Sequence, residues 1–251
     1  MILRQVSLSG VFAMKMNKLK KITASLLGCA AVFSAAPLMQ ENAVNTGAAE
    51  TYVSQCKEML DLVNKYRADN GAAPLKLYIP ACNAATARAA EIKTVFSHDR
   101  PDGSSCFTVL DEYNVKYSSA GENIAYGYPN VESVVSAWMN SDGHRSNILN
   151  SSYKYLGIGI DGYHWSQFFI GGAYCNAAFG DVNGDGAINS IDASEVLQYY
   201  AYQSTAPWFE HLSAFIKASD VNKDNAIDAL DASGILHYYA ASATGGTPSF
   251  N

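Results

Sequence analysis

Hydrophobic positions recur at helical spacing in three stretches between residues 51 and 177. Apolar side chains at i, i+3, i+4 and i+7 lie on one face of an α-helix, so each stretch predicts an amphipathic helix. The second of these helices is predicted over the alanine-rich run of residues 81–95. The first helix carries Met59, Leu62, Val63 and Tyr66, and the third carries Val131, Val134, Val135 and Trp138.

Two later stretches have the pattern of β-strands. Leu156, Ile158 and Ile160 alternate with smaller or polar residues, and residues 165–170 form a second, mostly apolar run. A period of two places alternate side chains on one face of a strand, so we predict two neighbouring strands. Helices and strands together in residues 51–177 predict an α+β fold for this region.

The C-terminal region contains two copies of a twelve-residue segment, residues 181–192 and 220–231, at a constant offset of 39 residues. Calcium prefers six to eight oxygen ligands, and a twelve-residue loop supplies them from positions 1, 3, 5, 7, 9 and 12, with a backbone carbonyl at position 7. The pattern therefore predicts two bound Ca²⁺ ions. The predicted ligands are Asp181, Asn183, Asp185, Ala187, Asn189 and Asp192 in the first loop, and Asp220, Asn222, Asp224, Ala226, Asp228 and Asp231 in the second.

The residues around these loops narrow the interpretation. Position 6, where the chain turns with positive φ, holds Gly186 in the first loop and Asn225 in the second. Asparagine is the non-glycine residue that best tolerates that conformation. Each loop continues into an amphipathic helix, but residues 171–180 look like the end of a strand followed by a turn, so no helix enters the first loop. A solvated Asp/Asn-rich turn could imitate one loop, but two aligned copies make that alternative weak.

A loop with only an exit helix, present twice in an exported chain, resembles the type I dockerin module of cellulosomes. The resemblance implies a small all-α domain at residues 178–242, built from two EF-hand-like loop–helix repeats. It also implies calcium-dependent binding to a cohesin domain of a scaffoldin. Loop positions 10 and 11 then help to read the partner, and the two copies differ there. These positions are Ser190 and Ile191, and Ala229 and Leu230.

Residues 203–219 form a long insert between the two repeats. The insert contains Trp208, Phe209 and Ile216, and we expect it to add a helix. These apolar side chains could pack within the module or contact a partner. Burial in the module is the commoner use of such residues.

Four short motifs in the first region together resemble the bacterial branch of the CAP superfamily, also called SCP/PR1-like. They are VNKYR (63–67), FSHDRPDG (96–103), GENIA (121–125) and WMNSDGHRSNIL (138–149). The resemblance implies an α-β-α sandwich with a central cleft at His98, Glu122 and His144, whose histidines can hold a divalent metal, commonly zinc. The family's second cleft acid falls on Ser136 here, and Glu132, one helical turn earlier, could replace it.

Several functions remain open for this cleft. Two neutral imidazoles and a carboxylate suit zinc with an open coordination position, so the site could bind a ligand or metal on a cellulosome-associated protein. Alternatively, the three side chains hydrogen-bond across the cleft and only hold loops together. The chain could also be a metal-dependent hydrolase of peptide, cell-wall or polysaccharide-associated substrates, with His98 and Glu122 as an acid/base pair. Lipid or sterol capture follows only from the behaviour of some CAP relatives.

The N-terminal residues 1–36 have the pattern of a signal peptide, with a basic start, an apolar stretch and small residues at its end. An uncleaved anchor and lipid attachment at Cys29 are the alternatives. We expect a linker at residues 37–50, a tail at residues 243–251 and a secreted, extracellular protein without a membrane anchor.

Composition supports an exported globular protein. The chain is 49% hydrophobic and 16% charged, and loss of the leader would move its net charge from −6 to −11 because the leader has five basic residues and no acid. Such an acidic surface disfavours nucleic acid as a partner. Four cysteines would remain, Cys56, Cys82, Cys106 and Cys175, which permit two disulfides in any of three pairings or buried free thiols.

Overall fold

The computed structural model describes residues 42–174 and 176–250. Residues Val53–Asn251 form one compact unit, and the described residues before it are the start of helix α1. The helices are α1 (Asn42–Asp69), α2 (Ile79–Glu91), α3 (Thr108–Glu112), α4 (Val131–Met139), α5 (Asp142–Leu149), α6 (Ser190–Thr205), α7 (Ser213–Ser219) and α8 (Ala229–Ala243). The strands are β1 (Lys76–Tyr78), β2 (Ser119–Tyr126), β3 (Tyr155–Asp161), β4 (His164–Gly171) and β5 (Phe209–Glu210).

The five strands form one mixed sheet in the order β2-β4-β3-β1-β5. Strand β4 pairs antiparallel with both β2 and β3, whereas β1 pairs parallel with β3 and β5. The predicted strands at residues 156–160 and 165–170 are therefore confirmed as neighbours. The α+β fold is confirmed too, because helices from the first region pack on this mixed sheet.

The three helices predicted from periodicity are present in the structure. The apolar face of α4 is fully buried, and the Asn130 side chain caps this helix by accepting a hydrogen bond from the Ser133 amide. The second helix begins at Ile79 and ends at Glu91, so its predicted end at residue 95 was four residues too late. Pro80 sits in the first turn of this helix, where a missing amide hydrogen costs nothing.

Helix α2 lies unusually close to strand β3 at two glycines. A Cβ atom on Gly157 would come within 2.3 Å of the Ala81 carbonyl oxygen, and one on Gly159 within 1.9 Å of the Ala85 carbonyl oxygen. Both contacts are with backbone, which cannot move away without shifting the helix. The glycines therefore set how closely α2 packs on the sheet. They thereby also fix the position of Arg88, which lies on this helix.

A buried arginine connects α1 to the end of α5. The Arg67 guanidinium donates hydrogen bonds to the carbonyl oxygens of Ala73 at 2.7 Å, Ile148 at 2.6 Å and Asn150 at 2.9 Å. Its burial lowers the pKa of Arg67 from the ordinary value. Because its five donors satisfy several carbonyls at once, Arg67 holds the helix that carries His144 against the rest of the domain.

The C-terminal region is helical, as predicted, and has its own apolar core. Val182, Val196, Val221 and Ile235 are buried there together, and Ile188 and Leu197 pack against them. The insert at residues 203–219 adds the predicted helix, α7, and also the short strand β5. Of its apolar residues, Phe209 is buried in β5 and Ile216 packs on this core, so the packing interpretation is correct for both.

Other predictions fall partly or wholly outside the described residues. The signal peptide at residues 1–36 lies outside them, and the linker expected at residues 37–50 overlaps α1 from Asn42 onward. No helix in the described part is long and apolar enough to cross a membrane. Cys82 and Cys106 are buried thiols without a disulfide, and Cys175 is not among the described residues.

Candidate calcium loops and the His98 cleft

The first loop folds its acidic side chains inward over its own backbone. The Asp181 carboxylate accepts hydrogen bonds from the amides of Gly184, Asp185 and Gly186 at 2.9 to 3.1 Å. The Asp192 carboxylate closes the loop from its other end, accepting from the amides of Val182, Asn183 and Asn189. The first and last predicted ligands are thus fixed by the backbone between them.

The second loop repeats these contacts at the offset of 39 residues. Asp220 accepts from the amides of Asp224 and Asn225, and Asp231 accepts from those of Val221, Asn222 and Asp228. The predicted turn conformation is confirmed in both copies, since φ is 89° at Gly186 and 67° at Asn225. Both loops therefore adopt one conformation despite differing in sequence.

The helices that leave the loops start with the same capping arrangement. Asn189 and Asp228 cap α6 and α8, and Asp192 and Asp231 complete a capping box in each case. Two side chains at each helix start thus satisfy amides that the helix itself leaves without partners. Because Asn189, Asp192, Asp228 and Asp231 are also predicted calcium ligands, the cap fixes each loop relative to its exit helix.

The charge of these loops requires a counter-ion. Asp192 and Asp231 are completely buried, and none of the ion pairs formed by the described residues includes a loop carboxylate. Burial, with the nearby charges of Asp181 and Asp185, raises the pKa of Asp192 to about 6. Unpaired buried carboxylates are costly, and a divalent cation would offset that cost. The donor set of acidic and amide oxygens fits Ca²⁺ in both loops.

The cleft of the first domain is organised around one buried ion pair. Glu122 on β2 is only 2% exposed, and its Oε1 atom accepts a hydrogen bond from Arg88 Nε at 2.8 Å. Its Oε2 atom lies 2.6 Å from Nδ1 of His98, whose side chain is 62% exposed. Both oxygens of Glu122 are therefore occupied by protein groups. This carboxylate orients His98 through Nδ1, and the other ring nitrogen, Nε2, has no hydrogen-bond partner among the described residues.

Arg88 was not identified from the sequence, although it connects most of the cleft. The guanidinium is completely buried and also donates to the carbonyl oxygens of Ser97 and Asp99, on the loop that carries His98. Glu91 contacts both Arg88 and Arg100, and Arg100 pairs in turn with Glu112. The sequence did contain one signal for this role, a single arginine on the apolar face of an alanine-rich helix. A charge that is buried with such a face needs a partner of opposite charge.

His144 is brought to the same cleft by helix α5. Its Nδ1 atom lies 2.9 Å from Ser141 Oγ, and its backbone carbonyl accepts from Asn123 Nδ2 at 3.2 Å. Asn147, one turn later, donates from Nδ2 to the Glu122 carbonyl oxygen at 3.1 Å. The structure therefore joins His98 to Glu122 directly and places His144 within electrostatic reach of His98, although the His144 ring forms no hydrogen bond with either residue.

The pKa values of the two histidines shift in opposite directions. The hydrogen bond with Glu122 raises the pKa of His98, whereas burial, and then the charge of His98, lowers the pKa of His144. His98 thus keeps its proton to a higher pH than His144 does. A neutral imidazole is the form that binds a metal or accepts a proton.

A further residue beside Glu122 was missed by the sequence analysis. The thiol of Cys106 contacts Glu122, and burial together with that negative charge raises the pKa of Cys106 to about 12. Cys82 is similarly protonated, with its pKa raised to about 12 by burial. Neither thiol is a thiolate near neutral pH, so neither has the chemistry of a nucleophile.

The cleft offers only part of a metal site. Each histidine has Nδ1 engaged and Nε2 available, which is the arrangement of a metal-binding imidazole with a supporting partner. However, no group of three or more His, Cys, Asp or Glu side chains within residues 42–174 and 176–250 is arranged so that it could hold a metal ion. Glu132 and Ser136 are both exposed on α4, and neither has a recorded contact with the three cleft residues. A closed zinc site is therefore not supported, and two imidazoles could at most share an ion with water or a ligand.

Two family models match two consecutive parts of the chain. Residues 60–174 match the family model of the cysteine-rich secretory protein family, CAP, and residues 179–238 match the type I dockerin domain. The uncharacterized protein YkwD of Bacillus subtilis strain 168 is 38% identical over 143 residues, which are 55% of this chain and 56% of that protein. The uncharacterized membrane protein YlbC of the same strain is 39% identical over 116 residues, which are 45% of this chain and 34% of that protein.

This chain therefore spans about half the length of the first of these relatives and about a third of the second. An extracellular protein with an SCP domain from Bacillus anthracis is 27% identical with a TM-score of 0.46, covering 54% of this chain and 45% of that one. A cysteine-rich secretory protein from Staphylococcus aureus is also 27% identical, with a TM-score of 0.43 and coverage of 47% and 38%. The chain thus consists, over most of its described length, of a CAP domain followed by a type I dockerin domain.

Proposed function

We propose that this chain is a secreted, cellulosome-associated protein that binds a scaffoldin cohesin through its dockerin and presents a CAP domain with a ligand-binding cleft. The observation that carries this proposal is the pair of loops at residues 181–192 and 220–231. Their acidic side chains repeat the same hydrogen bonds, and their buried carboxylates have no basic partner among the described residues. Two Ca²⁺ ions would supply the missing charge and fix the exit helices.

The docking function predicts calcium-dependent binding of a cohesin. We expect the full chain to bind a matching type I cohesin in excess calcium and to lose that binding when calcium is chelated, because the exit helices depend on the loops. The measurement is titration calorimetry against a panel of type I cohesins, with and without chelator. Binding that is equally strong after chelation would contradict the calcium-dependent mechanism.

The cleft is proposed as a weak binding site rather than a catalytic centre. Glu122 has both carboxylate oxygens occupied, so it is available to orient His98 but not to take a proton from a substrate without breaking the Arg88 pair. His98 and His144 have free Nε2 atoms and titrate over different pH ranges. This arrangement supports binding of an exchangeable divalent metal, or of a ligand with a group that imidazole nitrogen can contact.

A metal titration tests the cleft proposal. With the dockerin saturated by calcium, we expect one equivalent of Zn²⁺ to bind the intact chain and its affinity to fall at least about tenfold in both His98→Ala and His144→Ala. The affinity should rise as the pH increases through the raised pKa of His98, because the proton competes with the metal. His164→Ala, outside the cleft, is the matched control. Equal affinities in all three variants would remove zinc from this site.

A further inference from the structure

The two dockerin repeats match in sequence but differ in exposure. Leu230 and Leu236 in the second repeat are 65% and 43% exposed, whereas their equivalents Ile191 and Leu197 are only partly exposed. The difference does not extend to every position, because Tyr200 and its equivalent Tyr239 are both 41% exposed. One side of α6 is therefore covered where the same side of α8 is open.

The CAP domain and the insert cover part of this side of α6, at Gln198 and Tyr199, whereas Leu197 packs on the dockerin core. Gln198 on α6 forms a reciprocal pair of amide hydrogen bonds with Asn83 on α2, at 3.2 Å in each direction. Beside it, the ring of Tyr199 contacts the rings of His211 and Phe215 from the insert, at 5.6 and 5.7 Å between centroids. The equivalent of Gln198 in the second repeat is His237, which is exposed.

Backbone pairing holds this cover in place. Strand β5 of the insert adds to the sheet beside β1 of the CAP domain, with Leu77 opposite Phe209 and Tyr78 opposite Glu210. Lys76 forms an ion pair with Glu210 at 2.8 Å. A side-chain rotation could not uncover α6, because the insert is joined to the CAP sheet through main-chain hydrogen bonds as well as side chains.

The second repeat offers the surface that the first one lacks. Leu230 and Leu236 form its apolar part, and His237 and Tyr239 add groups that can make hydrogen bonds. Its carboxylates are those of the second calcium loop, so a bound ion would leave little net charge on this face. Exposed apolar side chains on one short helix can mark an interaction surface. A partner that fits them presents an apolar, largely uncharged surface.

We propose that a scaffoldin cohesin binds this chain only through the second dockerin repeat, around Leu230 and Leu236 on α8, because the CAP domain covers the equivalent face of α6. This inference rests on the docking function proposed above. It adds that one cohesin binds in a single orientation, since rotating the dockerin by its internal symmetry would bring the cohesin onto the covered face.

Matched alanine variants of the full chain test this assignment. Against one type I cohesin that binds the unaltered chain in excess calcium, we expect Leu230→Ala with Leu236→Ala to weaken binding at least about tenfold. The equivalent double variant of the first repeat, Ile191→Ala with Leu197→Ala, should change the affinity by less than about threefold. Calorimetry gives both affinities and the stoichiometry, which should be one.

A second measurement avoids dependence on the folding of the control, because Leu197 also packs on the dockerin core. Amide hydrogen exchange of the unaltered chain should show cohesin-dependent protection in the second loop and α8, but not along α6. Greater weakening in the first-repeat variant, or new protection of α6, would overturn the assignment while leaving the docking function intact. Failure of the unaltered chain to bind any type I cohesin would overturn the docking function and this inference with it.

Discussion

Removal of calcium is expected to unfold the dockerin part of this protein. Each loop closes on a completely buried aspartate, Asp192 or Asp231, and without a cation neither carboxylate has an ion-pair partner among the described residues. A ligand that binds only the folded state stabilises it by about 4 kcal/mol per site when present at about a thousand times its Kd. Chelation should therefore lower the melting temperature of the intact chain and remove helical signal that belongs to α6 and α8.

Variants at the first position of each loop distinguish the two calcium sites. Asp181→Ala and Asp220→Ala should each bind one calcium ion instead of two, and the double variant should melt at the same temperature with and without calcium. Asp61→Ala, which removes an exposed carboxylate paired with Lys57, should behave as the unaltered chain. Calorimetric titration counts the ions and thermal unfolding gives the stability. A double variant that still binds two ions would show that these residues are not the ligands.

Replacement of Arg88 by methionine is expected to destabilise the CAP domain by about 3–5 kcal/mol, because it leaves the buried Glu122 carboxylate without its cation. The carbonyl oxygens of Ser97 and Asp99 lose a donor as well. Lys65→Met, which breaks an exposed ion pair with Asp69, is the matched control and should change stability by less than about 1 kcal/mol. Chemical denaturation of the calcium-loaded chain measures both variants.

Two additional results would identify the buried charge as the cause. Adding Glu122→Gln to Arg88→Met should recover part of the loss, since no unpaired carboxylate then remains. In Arg88→Met alone, His98 is the remaining cation beside Glu122, and its pKa is raised by that contact. The stability from this pair is present at acid pH and is lost as the pH rises through the raised pKa of His98, so this variant should be less stable at pH 8 than at pH 6. Equal stability at both pH values would contradict this account.

The sequence predicted most of the elements that depend on local pattern. Helical periodicity located α1 and α4, a period of two located β3, a mostly apolar run located β4, and the repeated spacing of oxygen side chains located both predicted calcium loops. Strand β2 was not predicted as a strand, although its residues Glu122 and Asn123 belong to a motif that was recognised. The sequence of β2 contains too little alternation of apolar and polar residues to predict a strand. Its pairing with β4 defines it in the structure.

The cleft shows the same division between local and distant information. The resemblance of three motifs to the CAP family indicated His98, Glu122 and His144, and the structure joins His98 to Glu122 and places His144 within electrostatic reach of His98. The sequence did not reveal that Arg88 occupies one oxygen of Glu122, because the two residues are 34 positions apart and meet only when α2 packs on the sheet. That contact changes the role of Glu122 from a candidate base to a residue that orients His98.

By itself, the sequence therefore indicated the two domain types and predicted the oxygen ligands of both loops, because residue types at short and regular spacing carry that information. The cleft residues were assigned only through the resemblance of their motifs to the CAP family. Only the tertiary structure decided which of these groups remain available. Packing of α2 on β3 pairs Glu122 with Arg88, and the addition of β5 to the CAP sheet covers α6 while α8 stays open. Both outcomes depend on contacts between segments far apart in the sequence, which form only when the folded chain buries its apolar residues.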